Sequence, residues 1–216
     1  MLTVEQRIEK AHVRIMHHEA TMAYASLIMV GDTHVSDEVP TAYTNGRDKT
    51  YGRAFVESLT DPELVGLILH EAGHIMYQHA YVWKHLWKKN AQLANQAADY
   101  VINIEIHDLS RLYPDFVALP EGALLDLAYR DMDTQDVFNI LSKQDDGGKS
   151  AKGFDAHDFE DLTEEQGEML SKEVEAALNE GGYLASKKGN GAPKSFKELT
   201  APKVNWREQL LAFATE

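Results

Sequence analysis

One segment restricts this chain more than any other, and it begins at Thr60-Asp61-Pro62-Glu63. Thr60 can cap a helix, and Pro62 is tolerated in a first turn, where its missing N–H has no helical partner. Glu63 can reach back to close a capping box. The spacing predicts a helix from about residue 61 to the high 80s. Leu64, Leu67, Ile68 and Leu69 make its first turns apolar, and His70-Glu71-Ala72-Gly73-His74 follows directly. Any fold for this chain has to place three ionisable side chains beside that apolar run.

The surrounding sequence supplies mostly helices. Residues 3–20 read as one, with Thr3 as cap and Val4, Ile8, Ala11 and Ile15 at helical spacing. Tyr24 to Val30 is a compact apolar run ended by Gly31-Asp32, the pattern of a buried strand. Val39 to Thr44 and Lys49 to Tyr51 flank Asn45-Gly46, which predicts a hairpin whose Pro40 favours an edge position. A second helix is expected over 91–109, with weaker ones near 122–129 and 133–142. Residues 163–179 form an acidic amphipathic helix stopped by Gly181-Gly182. Lys143 to Gly153 and Lys187 to Pro193 are loose, polar stretches, and Val204 to Ala214 could be a last short helix. The expected class is α+β, dominated by helices. The expected organisation is a core over 1–142, a flexible loop over 143–160 and a helical extension over 161–216 packed on the core.

Composition narrows the chemistry. The 216 residues hold 21 Lys and Arg against 35 Asp and Glu, a formal net charge of −14. A chain this acidic is repelled by phosphate backbones, so nucleic acid is not an expected partner. There is no cysteine. Disulfides, thiol nucleophiles and thiolate metal sites are therefore excluded, and any transition-metal site must be built from His with Asp or Glu. Met1 to Lys10 lacks the layout of a signal peptide, and the apolar stretch Met22 to Val30 is too short to span a bilayer. A cytoplasmic protein without a membrane partner is expected.

The His70–His74 pair gives those constraints a focus. Residues four apart on an α-helix differ by about 40° around its axis, so both imidazoles project from one face, one turn apart. That spacing lets both reach one zinc ion. Glu71 lies about 100° round, where its carboxylate can take a proton from a metal-bound water without ligating the metal. A catalytic zinc ordinarily has three protein ligands and one open position. Tyr77 and Ala80 stand where an elongated motif would need glycine and a third histidine. The next helix offers Asp99, an acid in the small and apolar stretch Asn95 to Asn103, with Asn95 and Asn103 one turn away on either side to orient it. Glu105 is the runner-up. His79, about 140° from His74, cannot join the pair on a regular helix and reads as a core or supporting histidine. His157, between Asp155 and Asp158 beyond the loop, could stabilise the oxyanion formed when water attacks a carbonyl.

These residues resemble the zinc metallopeptidase (HExxH, zincin-like) domain often found N-terminal to von Willebrand A-like domains in bacterial and phage proteins. The similarity is carried by Thr44-Asn45-Gly46-Arg47, by Phe55 and Leu59, by His70-Glu71 with His74 and His79, and by Asn95, Ala97, Asp99 and Asn103. Leu119-Pro120, Asp155, His157 and Asn205-Trp206-Arg207-Glu208 extend it over nearly the whole chain. Tyr81-Val82-Trp83 departs from the family, which tends to be basic there, and relatives continue into a second domain where this sequence stops.

The resemblance implies a zincin-type fold with a small mixed sheet, an edge strand beside the motif helix that holds an extended peptide, and zinc-dependent peptide hydrolysis. For a phage-encoded chain the compartment would be the host cytoplasm. The expected assignment is thus metal on His70, His74 and Asp99, with Glu71 and His157 in catalysis, Zn²⁺ as cofactor and a peptide or protein as substrate. The alternative is a zinc-containing protein-binding module without proteolytic activity.

Overall fold

The computed structural model describes residues 2–144, 159, 162–189 and 191–200. The elements run α1 (Val4–His17), a 3-10 turn (Met22–Tyr24), α2 (Ala25–Ile28), β1 (Thr33–Ser36), β2 (Ala42–Thr44), β3 (Lys49–Gly52), α3 (Arg53–Ser58), α4 (Asp61–Met76), α5 (Lys84–Leu112), a 3-10 turn (Leu127–Tyr129), α6 (Thr134–Gln144), α7 (Glu164–Lys187) and α8 (Lys194–Thr200). Helices dominate, and the three strands form one small mixed sheet ordered β1-β3-β2. β1 runs parallel to β3 and β2 antiparallel to it, with Ala42 opposite Tyr51 and Thr44 opposite Lys49. The predicted hairpin is therefore present, and β2 is an edge strand. Among the described residues no helix is long and apolar enough to cross a membrane.

Helix α4 is the centre of the molecule. Its capping box is formed: the Glu63 backbone N–H donates to Thr60 Oγ1, and the Thr60 N–H donates to Glu63 Oε2 at 2.8 Å. From Leu64 to Met76 every residue is buried, because α1, α2, α5 and β2 pack around it. α1 presents Val4, Ile8, Ala11 and Ile15 as read from its periodicity. α7 closes the same core with Leu170, Val174 and Leu178. A second apolar cluster joins Leu93, Ala97, Val101 and Ile104 of α5 to Val137 and Phe138 of α6.

Several elements differ from the expectation. Tyr24 to Val30 is not a strand but two short helical turns. Its apolar run shows burial without alternation, and such a run fits a buried helical turn as well as a strand. Helix α4 stops at Met76 instead of reaching the high 80s, because Gln78 takes a left-handed conformation at φ 53° and reverses the chain. α5 bends at Asn90, whose φ and ψ of −160° and 100° are not helical, and the Asn90 side chain caps the continuation by accepting from Leu93 N–H. The expected start near 91 is this bend. Of the helix expected near 122–129 only the turn Leu127–Tyr129 exists. Gly181-Gly182 does not end α7. The stretch Val204 to Ala214, and the expected loop apart from Lys143, Gln144 and Phe159, lie outside the described residues.

Two glycines of α4 explain how closely its neighbours approach. A Cβ at Gly66 would stand 1.9 Å from the carbonyl oxygen of Ala118, and one at Gly73 would stand 2.7 Å from Ile102 of α5. Gly→Ala inside a helix ordinarily stabilises by about 0.5–1 kcal/mol. Gly66→Ala is expected to do the reverse, costing about 1–3 kcal/mol because a backbone carbonyl must move to make room. Thermal denaturation checks this.

Candidate metal centre

Gly73 lets α5 pack directly on the motif helix, and this contact brings Asp99 to the histidines. His70 Nε2 and His74 Nε2 are 3.1 Å apart. Asp99 Oδ1 lies 3.8 Å from the first and 3.5 Å from the second. Among the described residues these three form the group of His, Asp and Glu side chains able to share a metal ion. A tetrahedral site with bonds of about 2.0–2.1 Å has edges of about 3.3 Å, so the donor spacing suits a zinc-sized ion. His70 and His74 are wholly buried and Asp99 is 1% exposed. A carboxylate removed from water at that depth needs a compensating cation.

The partners of each ligand candidate fix its orientation. His70 Nδ1 meets Asn103 Oδ1 at 2.9 Å, and the Asn103 amide donates to the carbonyl of Leu124. Asn95 donates to Asp99 Oδ2 at 3.3 Å. Asn95 thus orients the acid as the sequence suggested, but Asn103 supports His70 instead, its amide group engaged between the His70 ring and the Leu124 carbonyl. His79 reaches His74, ring nitrogen to ring nitrogen, at 3.0 Å. Because the chain reverses at Gln78, the angular argument for a continuous helix does not apply to it.

Glu105 goes elsewhere. Its carboxylate accepts from the hydroxyls of Tyr77, Tyr24 and Ser195, and burial pushes its pKa up. It faces a cavity of about 480 Å³ that it shares with Tyr24, Tyr77, Thr134 and Ser195, whereas His70, His74 and Asp99 do not line that cavity. His157 lies outside the described residues.

Glu71 is also fully buried. Its charge is felt by two residues of β3: it raises the pKa of Tyr51, which burial already pushes well up, and opposes the drop of Lys49. Lys49 is 2% exposed, donates to the carbonyls of Ile28 and Val30, and is pulled down to about 8 by burial. Neither residue stands out in the sequence as part of a site. Their only signal was alternation: Lys49 and Tyr51 share the inner face of a strand whose partner packs on α4. The hairpin turn itself meets the segment after α4, since a Cβ at Gly46 would stand 2.4 Å from Ala80 Cβ.

The sequence matches the family described as "Putative metallopeptidase domain" over residues 3–216. The chain belongs to this family. No curated protein and no solved structure matches it. The family and the converged triad together indicate a metal-dependent peptidase domain with a candidate metal site at His70, His74 and Asp99.

Proposed function

We propose that this chain is a zinc-dependent metallopeptidase of zincin type. The observation that carries the reading is the convergence of His70, His74 and Asp99 from two helices, with Glu71 buried one residue along from the first ligand. Zinc held there supplies a Lewis acid and brings the pKa of bound water to about 7. The protein's own groups do the rest. Glu71 takes the proton of the attacking water and later returns one to the leaving amine. Asn103 and Asn95 hold the His70 ring and the Asp99 carboxylate in place. The edge strand β2 packs beside α4 and offers backbone groups to an extended peptide. His157 remains the proposed oxyanion donor.

One observation favours a second reading. His70, Glu71 and His74 have no exposed surface, so a peptide can reach them only if neighbouring elements part. If they never do, the metal is structural and the chain is a binding module. The test is elemental analysis joined to peptide cleavage. The purified protein is expected to hold one zinc per chain and to cleave members of a mixed peptide library. Stripping the metal with a chelator should abolish cleavage, and adding zinc back should restore it. Zinc present with no cleavage of any peptide would count against the enzymatic reading and favour the binding module.

A further inference from the structure

His79 is buried completely, yet it is neither ligand nor apolar filler. Its Nδ1 lies 3.0 Å from Nδ1 of His74, and its Nε2 lies 3.1 Å from the hydroxyl of Thr134, the first residue of α6. Histidine ligands of zinc commonly donate their outer N–H to a carboxylate, carbonyl or water. Here the outer nitrogen of His74 faces a second imidazole, which is donor on one side and acceptor on the other, in a sense that its tautomer decides.

Two proton arrangements are compatible with these contacts. With a metal on His74 Nε2, the proton of His74 must sit on Nδ1. His74 Nδ1–H then donates to His79 Nδ1, and His79 Nε2–H donates to Thr134 Oγ1. Without a metal the order can run the other way. The Thr134 hydroxyl donates to His79 Nε2, His79 Nδ1–H donates to His74 Nδ1, and His74 Nε2–H donates to His70 Nε2 across the observed 3.1 Å.

We propose that His79 is a positioning residue whose tautomer reverses when a metal occupies the His70–His74–Asp99 site, with Thr134 completing the chain. The inference rests on the metal-site part of the reading above. The protons balance. On loading, the Nε2 proton of His74 leaves to water, and the Nδ1 proton of His79 crosses to His74. Thr134 hands its hydroxyl proton to His79 Nε2 and takes another from solvent by way of the cavity it lines. One proton leaves and one enters, and each imidazole stays neutral. The arrangement keeps buried ring nitrogens bonded in both states, which avoids the cost of an unmade buried hydrogen bond.

The experiment is long-range ¹H–¹⁵N spectroscopy of ¹⁵N-histidine-labelled protein, metal-stripped and zinc-loaded, with zinc affinities from chelator competition. His79 is expected to carry its proton on Nδ1 when stripped and on Nε2 when loaded. His79→Phe, which keeps the ring volume, is expected to bind zinc 10–100-fold more weakly. His79→Gln, with an acceptor and a donor of its own, should recover much of that loss. Thr134→Val is expected to weaken zinc binding less than His79→Phe, because metal on His74 Nε2 still makes His79 Nδ1 the acceptor and only the outer bond to Thr134 is lost.

The same His79 tautomer with and without zinc would overturn the proposal, as would wild-type affinity in His79→Phe. Should His79→Phe fail to fold, the wild-type spectra decide on their own, and wild-type zinc affinity in Thr134→Val would overturn the part given to Thr134. A wild type that takes up no zinc overturns both this inference and the metal-site reading. A wild type that binds zinc without cleaving any peptide leaves this inference standing and removes only the enzymatic one.

Discussion

Glu71→Gln is expected to lower peptide cleavage at least roughly 10²–10⁴-fold while leaving zinc content near wild type. Glutamine has nearly the same shape as glutamate but cannot take a proton at neutral pH, and loss of a general base costs roughly that factor. The substitution isolates the base because Glu71 lies outside the metal-ligand group. Its surroundings add a second effect to watch. Lys49 and Tyr51 both respond to the Glu71 charge, so replacing it by a neutral amide removes a counter-charge from a buried lysine. That loss should show as a modest change in melting temperature and not in metal content. The measurement is mass spectrometry of peptides released from a cell lysate by wild type and by the variant, with zinc assayed in both. Identical peptide patterns from two zinc-loaded proteins would remove Glu71 from catalysis.

Asp99→Ala is expected to have the largest effect on the metal. It removes the one anionic member of the triad and the only donor contributed by α5. Zinc is then held by two imidazoles on a single helix, and stoichiometric binding should be lost. The ion also ties α4 to α5, so its loss carries a stability cost by linkage. At zinc 1,000-fold above the dissociation constant, binding stabilises the folded state by about 4 kcal/mol. For a chain of this size each kcal/mol shifts the melting temperature by about 2–4 °C, so wild type should melt about 10 °C higher with zinc than without. Asp99→Ala should show almost none of that difference. Glu105→Ala, by contrast, should keep the zinc-dependent shift, because Glu105 is engaged with Tyr24, Tyr77 and Ser195. Calorimetry with and without zinc decides. Retention of the shift in Asp99→Ala together with its loss in Glu105→Ala would move the third ligand to Glu105.

What the sequence determined by itself is local. The helix start at Thr60 follows from a cap, a proline and a glutamate within four residues, and those interactions need nothing from elsewhere in the chain. The facing of His70 and His74 follows from helical geometry alone, and the β2–β3 hairpin follows from Asn45-Gly46 between β-rich flanks. Asp99 stood out as an acid in an apolar setting, a signal of burial that does not say what it is buried against.

Tertiary structure decided the rest, because those facts depend on approach between distant segments. The end of α4 is set by a single left-handed residue, Gln78, which no periodicity announces. That reversal alone turns His79 back onto His74. Both Asn95 and Asn103 were expected to support Asp99, and that Asn103 meets His70 instead depends on how α5 sits against α4, where Gly73 lets Ile102 approach closely. Lys49 and Tyr51 entered the surroundings of Glu71 only through the pairing of β3 with an edge strand that packs on α4. A sequence specifies which face a residue takes on its own element. Which faces meet is settled by packing across the whole core.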